Sequence, residues 1–247
     1  MNDFDPMTIL PTSVDLNADL GEGFANDRPL LERITSASVC CGAHAGDPAT
    51  IRTTLEAAME LGVIVGAHPG YSDREGFGRR ELAMSAMEVK SLIIEQVEAL
   101  RELGRGVGVR IQFLKPHGAL YNQAQRQMEF AEGVVGAAVE LNLPLLGQPR
   151  SLLASLAEKA GIRYVAEGFP DRRYRPDGSL VARSEPGAII HDHDLMARNI
   201  ERLVSEGVET LCIHGDEPEA VANADRIRRV LDHLGISISC FLKRDPD

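Results

Sequence analysis

The sequence predicts an α/β fold, an irregular (β/α) barrel of about seven parallel strands, built as one domain over residues 1–247. Two observations carry this reading. Short apolar runs alternate with stretches of helical period along the chain, the pattern of a parallel sheet with helices outside it. Polar clusters rich in His, Asp, Asn and Lys follow directly on the ends of those runs, as they do where barrel strands deliver side chains to one face. A content of 44% hydrophobic residues supports a sizeable core, and barrels of this length are commonly single domains. An open doubly wound sheet is the second architecture compatible with the same alternation.

In chain order the strand candidates are Ser13–Ala18, Ala37–Cys41, Val63–Ala67, Arg110–Leu114, Leu143–Gly147, Tyr164–Glu167, Thr210–Ile213 and Ile236–Leu242. Helices with recognisable ends lie between them. Asp47-Pro48 offers an N-cap followed by proline at the first helical position, and Gly62 a stop. Ser85 and Glu88 form a capping box ahead of Val89, Leu92, Ile93, Val97 and Leu100, with Gly104 as the predicted end. Glu217-Pro218 opens the helix that closes near Gly235. The segment 168–187 is rich in Pro, Gly, Arg and Asp without periodicity, and a loop of that length in a compact domain is usually functional.

Several function classes are excluded or disfavoured by composition. A net charge of −11 argues against nucleic acid or an acidic membrane as partner. No apolar run approaches eighteen residues, and the first ten carry two aspartates and no basic residue, so a cytoplasmic protein is expected. Cys40, Cys41, Cys212 and Cys240 lack metal or disulfide spacing and read as buried small hydrophobes. There is no GxxxxGK[ST] loop and no GxGxxG after a strand, so neither a phosphate loop nor a dinucleotide fold is expected.

The strand ends hold the chemistry. Alternation puts Asp15, Asn17 and Asp19 on one face of the first strand, where a parallel strand buried on both faces should be apolar. Three such groups need partners, a solvated pocket or a metal. His44, His68, His117 and His214 each follow a strand beside glycine or proline, placed for proton transfer or metal ligation. Lys115, one of only four lysines, could hold an anion. Asp171, Arg172 and Asp216 follow the sixth and seventh strands. Asp47 and Asp216 also suit helix N-termini, which attract anions. Arg79, Arg80, Arg173, Arg175 and Arg183 lie in irregular loops and read equally as surface charge. His191 and His193 read as a solvated helix start, and His233 as a partner of a helix dipole.

Seven ordered blocks carry a resemblance: residues 15–24 (DLNADLGEGF), 41–48 (CGAHAGDP), 66–71 (GAHPGY), 76–80 (GFGRR), 115–122 (KPHGALYN), 171–181 (DRRYRPDGSLV) and 214–216 (HGD). In these the chain resembles the LamB/YcsF family over about residues 13–243. Ala43 stands where that family commonly has phenylalanine, Cys40 where alanine is common, and Pro170 where alanine precedes the aspartate. The resemblance implies a barrel like those of glycoside hydrolases and polysaccharide deacetylases. It also implies an A subunit of 5-oxoprolinase that works with B and C subunits to convert 5-oxoproline, ATP and water to glutamate, ADP and phosphate. ATP would then be used by the complex and not held by this chain alone. On that reading Asp15, His44, His68, Lys115, His117 and His214 are the candidate catalytic groups, and Asn17, Asp171, Arg172 and Asp216 contact substrate. Two other readings use the same residues. A stand-alone metal-dependent deacetylase or hydrolase would hold a divalent ion on Asp19, His44 and His68, and a non-catalytic scaffold would only present substrate. A homo-oligomer is compatible with each.

Overall fold

The computed structural model describes residues 10–183 and 185–242; the ends of the predicted domain, 1–9 and 243–247, lie outside it. Seven parallel strands close on themselves: β1 (Ser13–Leu20), β2 (Ser36–Cys40), β3 (Ile64–His68), β4 (Ile111–Leu114), β5 (Leu145–Gly147), β6 (Tyr164–Gly168) and β7 (Thr210–His214). They run in sequence order around the barrel, and β1 closes it by pairing with both β2 and β7. Closure selects the barrel over the open sheet.

Helices α1 (Asp27–Leu31), α2 (Pro48–Leu61), α3 (Ala86–Val107), α4 (Gly118–Ala124), α5 (Met128–Leu141), α6 (Leu152–Lys159), α7 (His193–Ser205) and α8 (Ala220–His233) cover the outside. The caps read from sequence are formed. The Asp47 carboxylate accepts from Thr50 N, Gly62 takes a left-handed conformation, and Ser85 and Glu88 close their capping box. Three expected boundaries move. Gly104 does not end α3, which continues to Val107 and stops at left-handed Gly108. Gly104 is buried in the helix because a Cβ there would stand 2.7 Å from the Val109 carbonyl of the returning chain. Helix α8 starts at Ala220 and not at Pro218. The predicted eighth strand shrinks to β8 (Ser237–Ile238), paired with Ser13 and Val14 of β1.

Residues just beyond β8 close the bottom of the barrel. Cys240, Phe241 and Leu242 pack against Ile64, Phe113, Leu146 and Val165, with Phe241 edge-on to Phe113 at 5.4 Å. The Phe113 ring in turn lies where a side chain on Gly66 would be: a Cβ there would fall 2.2 Å from the ring. Cys40 and Cys212 are buried as expected, whereas Cys41 and Cys240 are only half-buried; no disulfide forms among the described residues. Among the described residues no helix is long and apolar enough to cross a membrane.

Above the apolar plug the barrel interior turns polar. Register places Asp15 beside Thr210, Asn17 beside Ser36 and Cys212, and Asp19 beside Ser38 and His214. The alternation read along β1 thus holds in three dimensions. All the strand-end clusters emerge at the opposite end from the plug, because every barrel strand runs the same way.

Candidate functional site

The base of the site is a buried hydrogen-bonded column. Asp15 accepts from Thr35 Oγ1 at 2.7 Å, Ser36 Oγ at 2.8 Å and Thr210 Oγ1 at 2.5 Å. Burial pushes its carboxyl up to about 6, against the pull of those hydroxyls. Asp15 therefore sits beneath the cavity and does not line it. Thr210 Oγ1 accepts from Asn17 Nδ2 at 2.7 Å, and the same amide reaches Glu167 Oε1 at 3.2 Å. Asn17 Oδ1 accepts from Lys115 at 3.2 Å. A chain of contacts thus links Asp15 to the lysine.

Lys115 stands at the centre of the cavity floor. Its Nζ lies 2.7 Å from Asp19 Oδ1, 2.7 Å from Glu167 Oε1 and 3.0 Å from Cys212 Sγ. Burial would depress the ammonium, but Asp19, Cys212 and Glu167 hold it well above the usual lysine range. Burial would likewise raise Asp19, yet the charges of His68 and Lys115 hold it well below the ordinary carboxylate range. A bulge aims the lysine: from Val65 to Ala67 on β3, the partner strand advances from Ile111 to Leu114.

One wall carries three histidines. His68 Nδ1 is 2.8 Å from the Lys115 carbonyl, His117 Nε2 is 2.8 Å from the Phe77 carbonyl, and the two free ring nitrogens are 3.0 Å apart. Phe77 adopts a left-handed φ of 54°, uncommon for a side chain of this size, and it aims its carbonyl at His117. His44 stacks on His117 with ring centroids 3.8 Å apart, and its Nε2 meets Glu22 at 3.2 Å. Burial, with His68 beside it, lowers His44 to about 3, so it stays neutral at physiological pH. Burial and the charges of Asp19 and Asp216 push Glu22 well above its ordinary range.

The opposite wall carries the fourth. His214 Nδ1 lies 3.0 Å from Asp171 Oδ2, and its ring stacks on Phe169 at 5.4 Å. Burial would raise Asp171, but His214, Arg183 and Arg172 hold it below its ordinary value. It therefore accepts the Nδ1 hydrogen and leaves Nε2 of His214 for chemistry. Arg172 donates to the Val181 carbonyl at 2.7 Å, while its Nε, like Nη2 of Arg183, is a buried donor without a hydrogen-bond partner among the described residues. Both side chains line the cavity, and such donors suit an anionic ligand. Asp216 pairs with Arg79 and with Arg183, the latter at 3.1 Å, and stands behind the cavity wall.

The cavity has a volume near 1070 Å³ and is lined by Asp19, His68, Lys115, His117 and His214 together with Arg172. Of the other residues singled out in the sequence, Asn17, Asp171 and His44 support lining groups, and Asp15 lies a layer deeper. The ligand triad expected for a metal does not gather as expected. Two close groups occur among the described residues, Asp19 with Cys212 and His214, and Glu22 with His44 and His117. Glu22, Phe77, Glu167 and Thr210 complete the site without having been singled out as ligands or catalysts. Glu22 and Glu167 fell inside strand-end clusters that could have drawn notice; Phe77 acts through its backbone and gave no signal.

Known proteins share the sequence pattern and the fold. The model of the LamB/YcsF family matches residues 14–245. The chain is 41% identical to the 5-oxoprolinase A subunit of Photorhabdus laumondii, over 93% of this chain and 99% of that one. It is 40% identical to the 5-oxoprolinase A subunit of Pyrococcus abyssi, over 91% and 96% respectively. Among solved structures it resembles a lactam utilization protein from Thermus thermophilus with a TM-score of 0.84 at 38% identity, covering 93% of this chain and all of that one. A polysaccharide deacetylase from Bacillus cereus shares the fold at 12% identity and a TM-score of 0.57, over 94% of this chain and 93% of that one.

Proposed function

The chain belongs to the LamB/YcsF family, and from that premise we propose that it is the ring-opening subunit of an ATP-dependent 5-oxoprolinase acting in the cytoplasm with B and C partner subunits. The observation that carries the reading is the Asp171–His214 pair beside the buried Lys115 ammonium. An imidazole oriented by a carboxylate, next to a fixed positive charge, is equipped to hydrolyse an acyl bond.

In this mechanism Arg172 and Arg183 bind the carboxylate of 5-oxoproline through their unpartnered guanidinium donors. His214 Nε2 takes a proton from water as its oxygen attacks the ring carbonyl carbon. Lys115 offsets the negative charge of the phosphorylated oxygen, in a site where burial strengthens that interaction. The C–N bond then breaks, the departing nitrogen receives the proton from His214, and the acyl phosphate so formed gives glutamate and phosphate on attack by a second water. A lactam is a stable amide, so the preceding transfer of the phosphoryl group from ATP to its oxygen, with release of ADP, is assigned to the partner subunits. The lack of a phosphate loop in this sequence supports that division.

The test is reconstitution. The purified chain alone is expected to release no glutamate from 5-oxoproline and ATP, and glutamate and ADP should appear in step once partner subunits are added. Robust turnover by the chain alone without ATP would replace this reading with the metal-dependent hydrolase. Full activity of the complex after His214→Ala and Lys115→Ala would leave only the scaffold.

A further inference from the structure

Glu167 belongs to the cavity floor with only half of its carboxylate committed. It stands on β6 with its side chain fully buried, where a carboxylate needs hydrogen-bond donors on both oxygens. Its Oε1 has two, Lys115 Nζ at 2.7 Å and Asn17 Nδ2 at 3.2 Å. Its Oε2 has no hydrogen-bond partner among the described residues, although the residue lines the cavity. A fixed donor, the Lys115 ammonium, and an unpaired acceptor, Glu167 Oε2, thus stand side by side. A ligand that satisfies both must offer an acceptor and a hydrogen-bond donor on one edge.

We infer that Glu167, together with Lys115, selects a cis amide: Oε2 accepts the ring N–H of a lactam whose carbonyl oxygen faces the ammonium. This deepens the proposed function and rests on it for the identity of the ligand. Open-chain secondary amides are trans and present N–H and C=O on opposite edges. A five-membered ring cannot close through a trans amide, so 5-oxoproline carries both groups on one edge. The donor–acceptor pair on the floor is the complement of that edge. Asn17 and Lys115 both donate to Oε1, which fixes the carboxylate and leaves Oε2 as the oxygen for the ring nitrogen. The same contact serves bond breaking. The departing nitrogen ends as the ammonium of glutamate, and a carboxylate beside it offsets the positive charge it gains. Glu167 is therefore a substrate-recognising residue that reads the nitrogen, while Arg172 and Arg183 read the carboxylate.

The test uses the full chain and three small carboxylates, with binding read by ligand-observed NMR or calorimetry without ATP or partners. 5-Oxoproline is the lactam. Its lactone counterpart, 5-oxotetrahydrofuran-2-carboxylate, has a ring oxygen in place of the N–H. N-acetylalanine is 5-oxoproline with one ring C–C bond cut, and its amide is trans. The lactam should bind at least about tenfold more tightly than either. The lactone sets a lone pair against Oε2, and the open chain must adopt the unfavourable cis form. These comparisons need no variant, so they hold whatever a substitution does to folding. In Glu167→Gln, Lys115 and Asn17 keep the amide oxygen in the Oε1 position, which turns an NH₂ donor toward the ligand. Lactam affinity should then fall about tenfold or more while lactone affinity holds or rises. Equal binding of the three ligands, no lactam binding at millimolar concentration, or an unchanged preference in Glu167→Gln overturns the inference. A lactam preference in a chain that supports no glutamate formation with its partners would uphold this recognition while removing the proposed function. Glutamate formation by a complex whose kcat/KM is indifferent to Glu167→Gln would do the reverse.

Discussion

The ammonium of Lys115 lies 2.7 Å from a carboxylate oxygen of Asp19, and both side chains are buried inside the barrel. Two charges so placed are tolerated because each is the other's counter-ion, with Glu167, Asn17 and Cys212 also in contact with the ammonium. The pair fixes a positive charge on the cavity floor.

Lys115→Met should therefore be costly to stability as well as to activity. Removing one partner of a buried ion pair costs about 3–5 kcal/mol, which urea unfolding would register as a lower midpoint at unchanged slope. The double variant Lys115→Met/Asp19→Asn should recover part of that loss. A single variant within about 1 kcal/mol of the parent would show that solvent, not Asp19, compensates the lysine.

Asp171→Asn tests the orientation of His214. The amide can present a donor where the carboxylate accepts, favouring the wrong tautomer, so kcat in the reconstituted complex should fall roughly 10²–10⁴-fold. KM and the melting temperature should change little. A fall in KM-linked affinity with kcat preserved would assign Asp171 to substrate binding instead.

Asp15 makes stability depend on pH. Its folded pKa, raised to about 6 by burial, exceeds the ordinary 3.8. The folded state thus binds the proton more tightly. The corresponding stability is fully present below about pH 4 and is lost as pH rises through 6, to a total of roughly 3 kcal/mol. Asp15→Asn should flatten this part of the profile, read from denaturant unfolding between pH 4 and 7. Near-parental activity in that variant would mark Asp15 as a support for Thr210 and Asn17, and an identical pH slope would remove it from the account.

Gly66→Ala probes the plug. Its new methyl would enter the Phe113 ring, and overpacking of this kind costs typically about 1–3 kcal/mol. Phe113→Leu should be destabilising alone yet partly rescue the alanine variant, a non-additivity that only a direct contact gives. Additive effects would place the strain elsewhere.

Much of the site was legible because the strand ends combine unusual residue types with a simple geometric rule. Asp19, His68, Lys115 and His214 could be gathered on one face from strand direction alone. The barrel followed from the alternation of apolar runs and capped helices. Other features left no trace of that kind. Thr210 and Ser36 are ordinary strand residues until their hydroxyls are seen on Asp15. Phe77 contributes a carbonyl through a backbone angle, and sequence patterns report side chains. The predicted eighth strand was apolar because Phe241 and Leu242 plug the barrel, and a run of apolar residues does not distinguish a strand from a stopper. The expected triad of Asp19, His44 and His68 is not one of the close donor groups among the described residues, where His44 sits instead with Glu22 and His117.

The pairing of β1 with both β2 and β7 has a consequence for biosynthesis. Thr210, which bonds to Asp15, follows it by 195 positions, so at about 5–20 residues per second one edge of β1 waits roughly 10–40 s for its neighbour. An exposed strand edge invites pairing with a foreign chain, and inward-pointing charges are one way proteins discourage it. Asp15 and Asp19 project from β1 during that wait, and Lys115, the counter-ion of Asp19, is made only about halfway through it. The acids that later anchor the cavity thus guard the nascent chain against mispairing until the barrel can close.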